Sequence, residues 1–198
     1  HLIAEREVAP DQVLAITFTN KAAGEMEQRL GRLLGKTATG RMTIKTFHAL
    51  GATILREHGD HLDIPPRFTI CGETDRAALL KETGYIKSRA DEGKYIDAIS
   101  HAKSQLLDPE SPEFRQILPG DDSWPEVYQA YQMLLRRNQM VDFEDLLRLP
   151  IQLFRNHPEV LDAYQLQYQW ISVDEYQDIN YAQYRLLQLL TAPETNLC

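Results

Sequence analysis

Val13-Leu14-Ala15-Ile16-Thr17-Phe18 reads as one buried strand, and its neighbours tell which kind of sheet it joins. The run is apolar and partly β-branched with no polar alternation, the pattern of a strand covered on both faces, as in parallel sheets. Thr19 or Asn20 can then cap a helix from about Lys21 to Leu34. Its Ala22, Ala23, Met26, Leu30, Leu33 and Leu34 fall near helical spacing, and Gly35 is a stop. A second strand fits Met42 to Phe47, and a helix from about His48 to His58 is ended by Gly59. Strand, helix, strand, helix is the grammar of a parallel α/β sheet.

The grammar changes after Ile64-Pro65-Pro66 and a brief extended piece from Phe68 to Cys71. From about Thr74 to Asn156 every element is expected to be helical, with breaks at Gly84, Gly93, Pro109, Pro112 and Pro119-Gly120. Tyr128, Tyr131, Leu134 and Leu135 fall at helical spacing, as do Leu146, Leu149, Ile151 and Phe154 approximately, so both stripes read as core. Trp170-Ile171-Ser172-Val173 then returns as a buried strand ending in Asp174-Glu175, followed by a helix from about Asn180 to Leu190. The economical architecture is an α/β domain interrupted by a helical insertion, in three segments: 1–73, 74–146 and 147–198. His1 to Ala4 could be the tail of a helix, and an apolar run only begins at Asn196-Leu197-Cys198, so the chain is expected to be a fragment.

Charge divides along the same lines. The 198 residues hold 21 Lys and Arg against 29 Asp and Glu, a net −8, which rules out a protein that coats phosphate backbones uniformly. Between Gln12 and His58, however, there are seven cations and three acids, a local +4 that leaves −12 elsewhere. Any nucleic-acid contact must therefore be local. Composition, at 43% hydrophobic and 25% charged, is that of an ordinary globular domain. Cys71 and Cys198 have no metal-site spacing and form no disulfide framework, which points to a reduced, cytoplasmic setting. No apolar run is long enough to span a bilayer, and no signal peptide opens the sequence.

Two groups of residues can carry chemistry. Asp174 and Glu175 lie just past the C-terminal end of an apolar strand, the edge at which open α/β sheets bind ligands. In phosphate-hydrolysing folds the first acid of such a pair can hold Mg²⁺ and the second can orient or deprotonate the attacking water. Thr17-Phe18-Thr19-Asn20-Lys21 offers hydroxyls, an amide and a cation at a strand-to-helix turn, where free backbone N–H groups suit a phosphate and an exposed Phe18 could stack on a base. The alternative is an ordinary helix cap with Phe18 in the core. Thr46-Phe47-His48 repeats the arrangement after the next strand, with His48 as a cap or core residue in the blander reading.

These segments resemble motifs of UvrD/Rep/PcrA-type superfamily 1 DNA helicases. Ala15 to Met26 is similar to the motif that follows that family's phosphate-binding loop, Ile44 to Leu50 to its next DNA-contacting motif, and Val173 to Asn180 with Gln183 to its Walker B segment. Val141-Asp142-Phe143-Glu144-Asp145-Leu146-Leu147 resembles the Asp-Phe-Asp-Asp-Leu sequence near the end of the family's helical insertion. Ile179 stands where Thr is usual and Ala49 where Ser is common. The resemblance implies a partial RecA-like P-loop NTPase parallel sheet with an inserted all-helical subdomain.

It also implies an ATP-driven translocase that unwinds duplex DNA with 3′ to 5′ polarity, acting on single strands and single/double-strand junctions in repair or replication. Carried over by position, Asp174 is the Mg²⁺-side acid and Glu175 activates water. Gln177 couples the nucleotide site to the DNA track, and Phe18, Thr19, Asn20, Thr46 and His48 line that track. Lys81, Lys87, Arg89, Lys94 and Lys103 could touch duplex DNA from the insertion, against the plainer reading of solvated surface. No G-x-x-x-x-G-K-[ST] loop occurs in the sequence, and neither does the second motor domain with its arginine finger. A helicase-nuclease of the AddA or RecB kind shares these motifs but usually has a longer insertion. A degenerate motor domain kept for DNA binding or protein interaction is the non-enzymatic alternative.

Overall fold

A computed structural model describes residues 2–198, and His1 lies outside the described residues. The chain opens with α1 (Leu2–Arg6), β1 (Val13–Thr17), α2 (Asn20–Leu34), α3 (Lys36–Thr39), β2 (Thr43–Thr46) and α4 (Phe47–His58). It continues through β3 (Thr69–Ile70), α5 (Glu73–Glu82), α6 (Arg89–Ser104), α7 (Pro112–Gln116), α8 (Trp124–Arg137) and β4 (Met140–Val141). Last come α9 (Asp145–Asn156), α10 (Pro158–Gln167), β5 (Trp170–Val173), α11 (Tyr181–Leu190) and β6 (Asn196–Leu197). The elements gather into two compact units, residues 1–53 with 151–198 and residues 54–150.

The first unit is built on a four-stranded, wholly parallel sheet in the order β2-β1-β5-β6. β1 is buried along its whole length because it is flanked on both sides, with Thr17 opposite Thr46 of β2 and Ile16 opposite Val173 of β5. The apolar run therefore needs no alternation. β6 is the strand formed where the apolar run at the chain's end begins, and it pairs Leu197 with Ile171. α11 packs its buried Ala182, Leu186, Leu187 and Leu190 inward and meets α10, while α2 lies against β1 and β2. A 3.0 Å hydrogen bond between Thr43 Oγ1 and the Tyr168 hydroxyl ties the start of β2 to the approach to β5.

α2 carries the expected apolar spacing, yet none of its side chains is fully buried, and Leu33 is 78% exposed. Two glycines weaken it further. A Cβ at Gly24 or Gly31 would meet nothing within 4 Å, so neither glycine is required by packing. Replacing either by Ala removes backbone freedom from the unfolded chain, and Gly24→Ala and Gly31→Ala are each expected to raise stability by about 0.5–1 kcal/mol in urea unfolding. A loss of stability in both would mean that the helix has a packing partner.

The second unit begins twenty residues before the expected insertion and ends four after it. β3 and β4 explain the early start. They form a two-stranded parallel sheet, Thr69 with Met140 and Ile70 with Val141, so the extended piece before the helices belongs with the segment that follows them. The unit is consequently not all helical. Such short strands carry no periodicity from which to predict a pairing. The far boundary falls at Pro150 inside α9, where a ring without an N–H removes one helical hydrogen bond. Around the buried Trp124, Phe114 stacks at 4.8 Å and Tyr128 approaches edge-on at 5.6 Å, and the indole N–H donates to the Phe114 carbonyl at 2.9 Å. Tyr128, Tyr131 and Leu135 are buried as expected.

Beside this core lies an ionic network. Lys103 is fully buried; its ammonium donates to Asp142 Oδ2 at 2.5 Å, Asp145 Oδ2 at 2.7 Å and Gln132 Oε1 at 3.1 Å. The Tyr131 hydroxyl donates to Asp142 at 3.1 Å, and Arg148 donates to Asp145 at 2.9 Å. Arg76, also buried, pairs with Glu144 at 3.4 Å and donates to the Ile96 carbonyl. Three cations thus face three carboxylates. Asp142 Oδ1 also accepts from the Asp145 N–H, capping the start of α9. Burial, with Asp145 alongside, raises the Asp142 carboxyl. Burial works the same way on Asp145, but the Lys103 and Arg148 charges outweigh it and hold that carboxyl at about 2.

Removing one member strands the others. Lys103→Met is expected to cost about 3–5 kcal/mol, because two buried carboxylates lose their shared cation; a shift below about 1 kcal/mol in urea unfolding would show the pair to be solvated. The sign for pH follows from the depressed Asp145 value. Its contribution is complete above the ordinary carboxylate range near 4 and is lost as pH falls through about 2. Asp145→Asn should flatten that acid limb of the stability profile.

Candidate functional site

The strand order makes a crevice. From β1 the chain passes through α2 to β2 on one side, whereas from β5 it passes through α11 to β6 on the other. The carboxyl ends of β1 and β5 therefore flank a topological switch point, the place where open α/β sheets bind ligands. The two segments singled out from the sequence meet there. The Asp174 N–H donates to the Ile16 carbonyl at 2.9 Å, extending the β1–β5 ladder by one residue and setting the acids beside the Thr17–Asn20 turn.

That turn is held by its own hydroxyls. Thr17 is fully buried and donates to the Thr19 carbonyl at 3.1 Å. Thr19, extended at φ −126° and ψ 149°, is the helix cap; its Oγ1 accepts from the Ala22 N–H at 3.0 Å. Asn20 then starts α2, and both Thr19 and Asn20 are exposed. Phe18 is 37% exposed and meets the buried Phe47 ring edge-on, with centroids 6.3 Å apart. The aromatic pair joins the ends of β1 and β2, so both sequence-predicted turns share one sheet edge. Thr46 is buried, with its hydroxyl accepting from the Ala49 N–H at 3.1 Å, and His48 is half-buried in the first turn of α4. The Thr46 side chain thus shapes the second turn from inside.

Asp174, Glu175 and Gln177 are all exposed at the crevice. Glu175 adopts the left-handed conformation, φ 50° and ψ 45°, which costs a side chain with a Cβ roughly 1–2 kcal/mol. The Gln177 amide donates to the Glu175 carboxylate, and the Asp178 N–H donates to the Glu175 carbonyl at 2.9 Å. A capping box between Asn180 and Gln183 then launches α11. Glu175, the acid that the sequence reading assigns to water activation, is one of five non-glycine residues with positive φ among the described residues, and the one that lies at the switch point. Strained residues of this kind recur at functional sites. Nothing in the residue type announces this conformation.

Among the described residues no group of three or more His, Cys, Asp or Glu is arranged to hold a metal ion. Mg²⁺ delivered with a nucleotide takes one or two carboxylates and fills its remaining positions with phosphate oxygens and water. An exposed Asp174 beside a strand-to-helix turn is a donor set of that kind.

In the second unit the expected basic contacts separate. Lys103 is a correction: it is fully buried in the ionic network and has no surface to offer a nucleic acid. Lys81 pairs with Glu92 at 2.9 Å and Lys94 with Asp121, while Lys87 and Arg89 are exposed. The acids around Phe143 turn out to be the network's carboxylates. Reading this from the sequence would have required recognising Lys103 as their partner, thirty-nine residues upstream of Asp142.

The whole chain, residues 1–198, matches the family model described as UvrD/REP helicase N-terminal domain. The chain belongs to this family. It is 43% identical over its full length to the ATP-dependent DNA helicase PcrA of Bacillus subtilis, 41% to PcrA of Staphylococcus aureus strain Mu50 and 39% to PcrA of Leuconostoc citreum. The chain spans 27%, 28% and 27% of those relatives. Membership of the UvrD/Rep family agrees with the parallel sheet and the four motif-bearing segments. No helix among the described residues is long and apolar enough to cross a membrane.

The left-handed Glu175 yields a direct test. Glu175→Gly should be more stable than Glu175→Ala by about 1 kcal/mol, because only Gly occupies that conformation without a Cβ clash. Equal unfolding midpoints would show that the backbone relaxes.

Proposed function

We propose that this chain is part of the first motor domain of an ATP-dependent DNA helicase that moves 3′ to 5′ along single strands and opens duplexes at single/double-strand junctions. The meeting of Asp174-Glu175 with the Thr17–Asn20 turn at the β1/β5 switch point carries the reading. The names of the similar proteins, each an ATP-dependent DNA helicase, support it. They favour a PcrA-like parent over a helicase-nuclease or a degenerate interaction module.

In this proposal Asp174 holds Mg²⁺ and Glu175 orients the attacking water. Bound Mg²⁺ would neutralise phosphate charge and supply Lewis acidity. The left-handed turn fixes the Glu175 carboxylate, and Gln177, bonded to it, senses its position. Phe18 offers a face on which a base can stack, braced from below by Phe47, while Thr19, Asn20 and His48 lie along the same edge. Thr46 acts from inside as the cap of the second turn. The proposed segments remain a motor part at 1–73 and 147–198, with the insertion at 74–146 between them. Two unbridged cysteines accord with a reduced, cytoplasmic setting.

Without a phosphate-binding-loop lysine in its 198 residues, and with no arginine finger, the chain by itself is expected to hydrolyse no ATP. Phosphate release that depends on Glu175 and rises with single-stranded DNA would overturn this. Binding of the chain to a labelled oligonucleotide should be weak and salt-dependent, and Phe18→Ala should weaken it by about 1–3 kcal/mol. Unchanged affinity after that substitution would return Phe18 to the core.

A further inference from the structure

A second surface of the first unit lies on α10 and the loop between α11 and β6. Asp162 and Leu166 stand four residues apart on α10, hence on one helical face, and with Pro193 and Glu194 of the loop between α11 and β6 they line a groove of about 510 Å³. Leu166 is 73% exposed. Neither Asp162 nor Glu194 forms an ion pair among the described residues, and the helix and loop sides carry one carboxylate each.

The walls are held in shape. Thr195 Oγ1 accepts from the Ala192 N–H at 3.0 Å, and the Thr195 N–H donates to the Ala192 carbonyl at 3.0 Å, closing the loop into a tight turn around Pro193. The Gln165 side chain donates to the Leu189 carbonyl at 2.7 Å, pinning α10 to α11. The groove is therefore preformed and loses little entropy when filled.

Charge selects the occupant. Two carboxylates repel a phosphate backbone and favour Lys or Arg, and an exposed leucine on the helix side of the groove calls for an apolar side chain. We infer that this groove docks a protein segment in which an apolar residue is flanked by basic ones, so that Leu166 meets the apolar residue while Asp162 and Glu194 take the cations. It shares no lining residue with the β1/β5 switch point, and the inference does not depend on the helicase reading.

The test uses the 198-residue chain and a fluorescein-labelled octapeptide of alternating Lys and Leu, read by anisotropy, with a Glu and Leu octapeptide as the charge control. Saturable binding of the basic peptide alone is expected, weakened at least tenfold by Leu166→Glu and by the pair Asp162→Lys with Glu194→Lys. Leu33→Glu, at an exposed leucine on α2, should leave it unchanged. Circular dichroism and unfolding midpoints matching the parent's establish that the variants are folded. Equal binding of both peptides, or a loss below twofold in Leu166→Glu, would overturn the inference. So would a dimer in sedimentation that Leu166→Glu dissociates, since the groove would then belong to a second copy of the chain.

Discussion

Pairing of β1 with β5 is the constraint on which the site depends. The two strands come from opposite ends of the chain, and their ladder, Val13 with Trp170 through Ile16 with Val173, sets the two candidate turns side by side. One more backbone bond, from Asp174 to Ile16, places the acid pair at the strand edge. If the register slipped by one residue, β1 would turn its side chains to the opposite face and the acids would leave the turn. The burial of all five β1 residues makes such a slip costly.

Around that ladder the molecule spends its stability unevenly. Hydroxyl caps at Thr19 and Thr46 shape the two turns, and the Phe18–Phe47 pair joins them with one ring inside and one partly outside. Glu175 is held in an unfavourable backbone region next to Asp174, and α2 contains two glycines that packing does not require. A site for a changing ligand is better served by a fixed carboxylate on a rigid strand end than by a relaxed loop.

The second unit solves a different problem. Three carboxylates at the return from β4 into α9 are neutralised by cations from α5, α6 and α9 itself, in a setting where a missing partner leaves a buried charge. Such a network adds little net stability over a well-packed apolar core. It does reject alternative packings, since any displacement of the segment separates the buried Lys103 from the buried Asp142 and Asp145. The motif-like acids around Phe143 therefore have a structural account of their own.

The sequence by itself determined the parallel α/β class, the two strand-to-helix turns, the acid pair and the family, because each is written in contiguous residues through burial pattern, capping chemistry and motif. Local signals also sufficed for the core stripes of α8 and α9. The partner of each strand, the sheet order that creates the switch point, the β3–β4 pairing and the burial of Lys103 were decided only by tertiary structure. Each depends on residues distant in sequence whose side chains meet only after folding. The left-handed backbone of Glu175 belongs with them, since neighbouring contacts impose it against the residue's own preference.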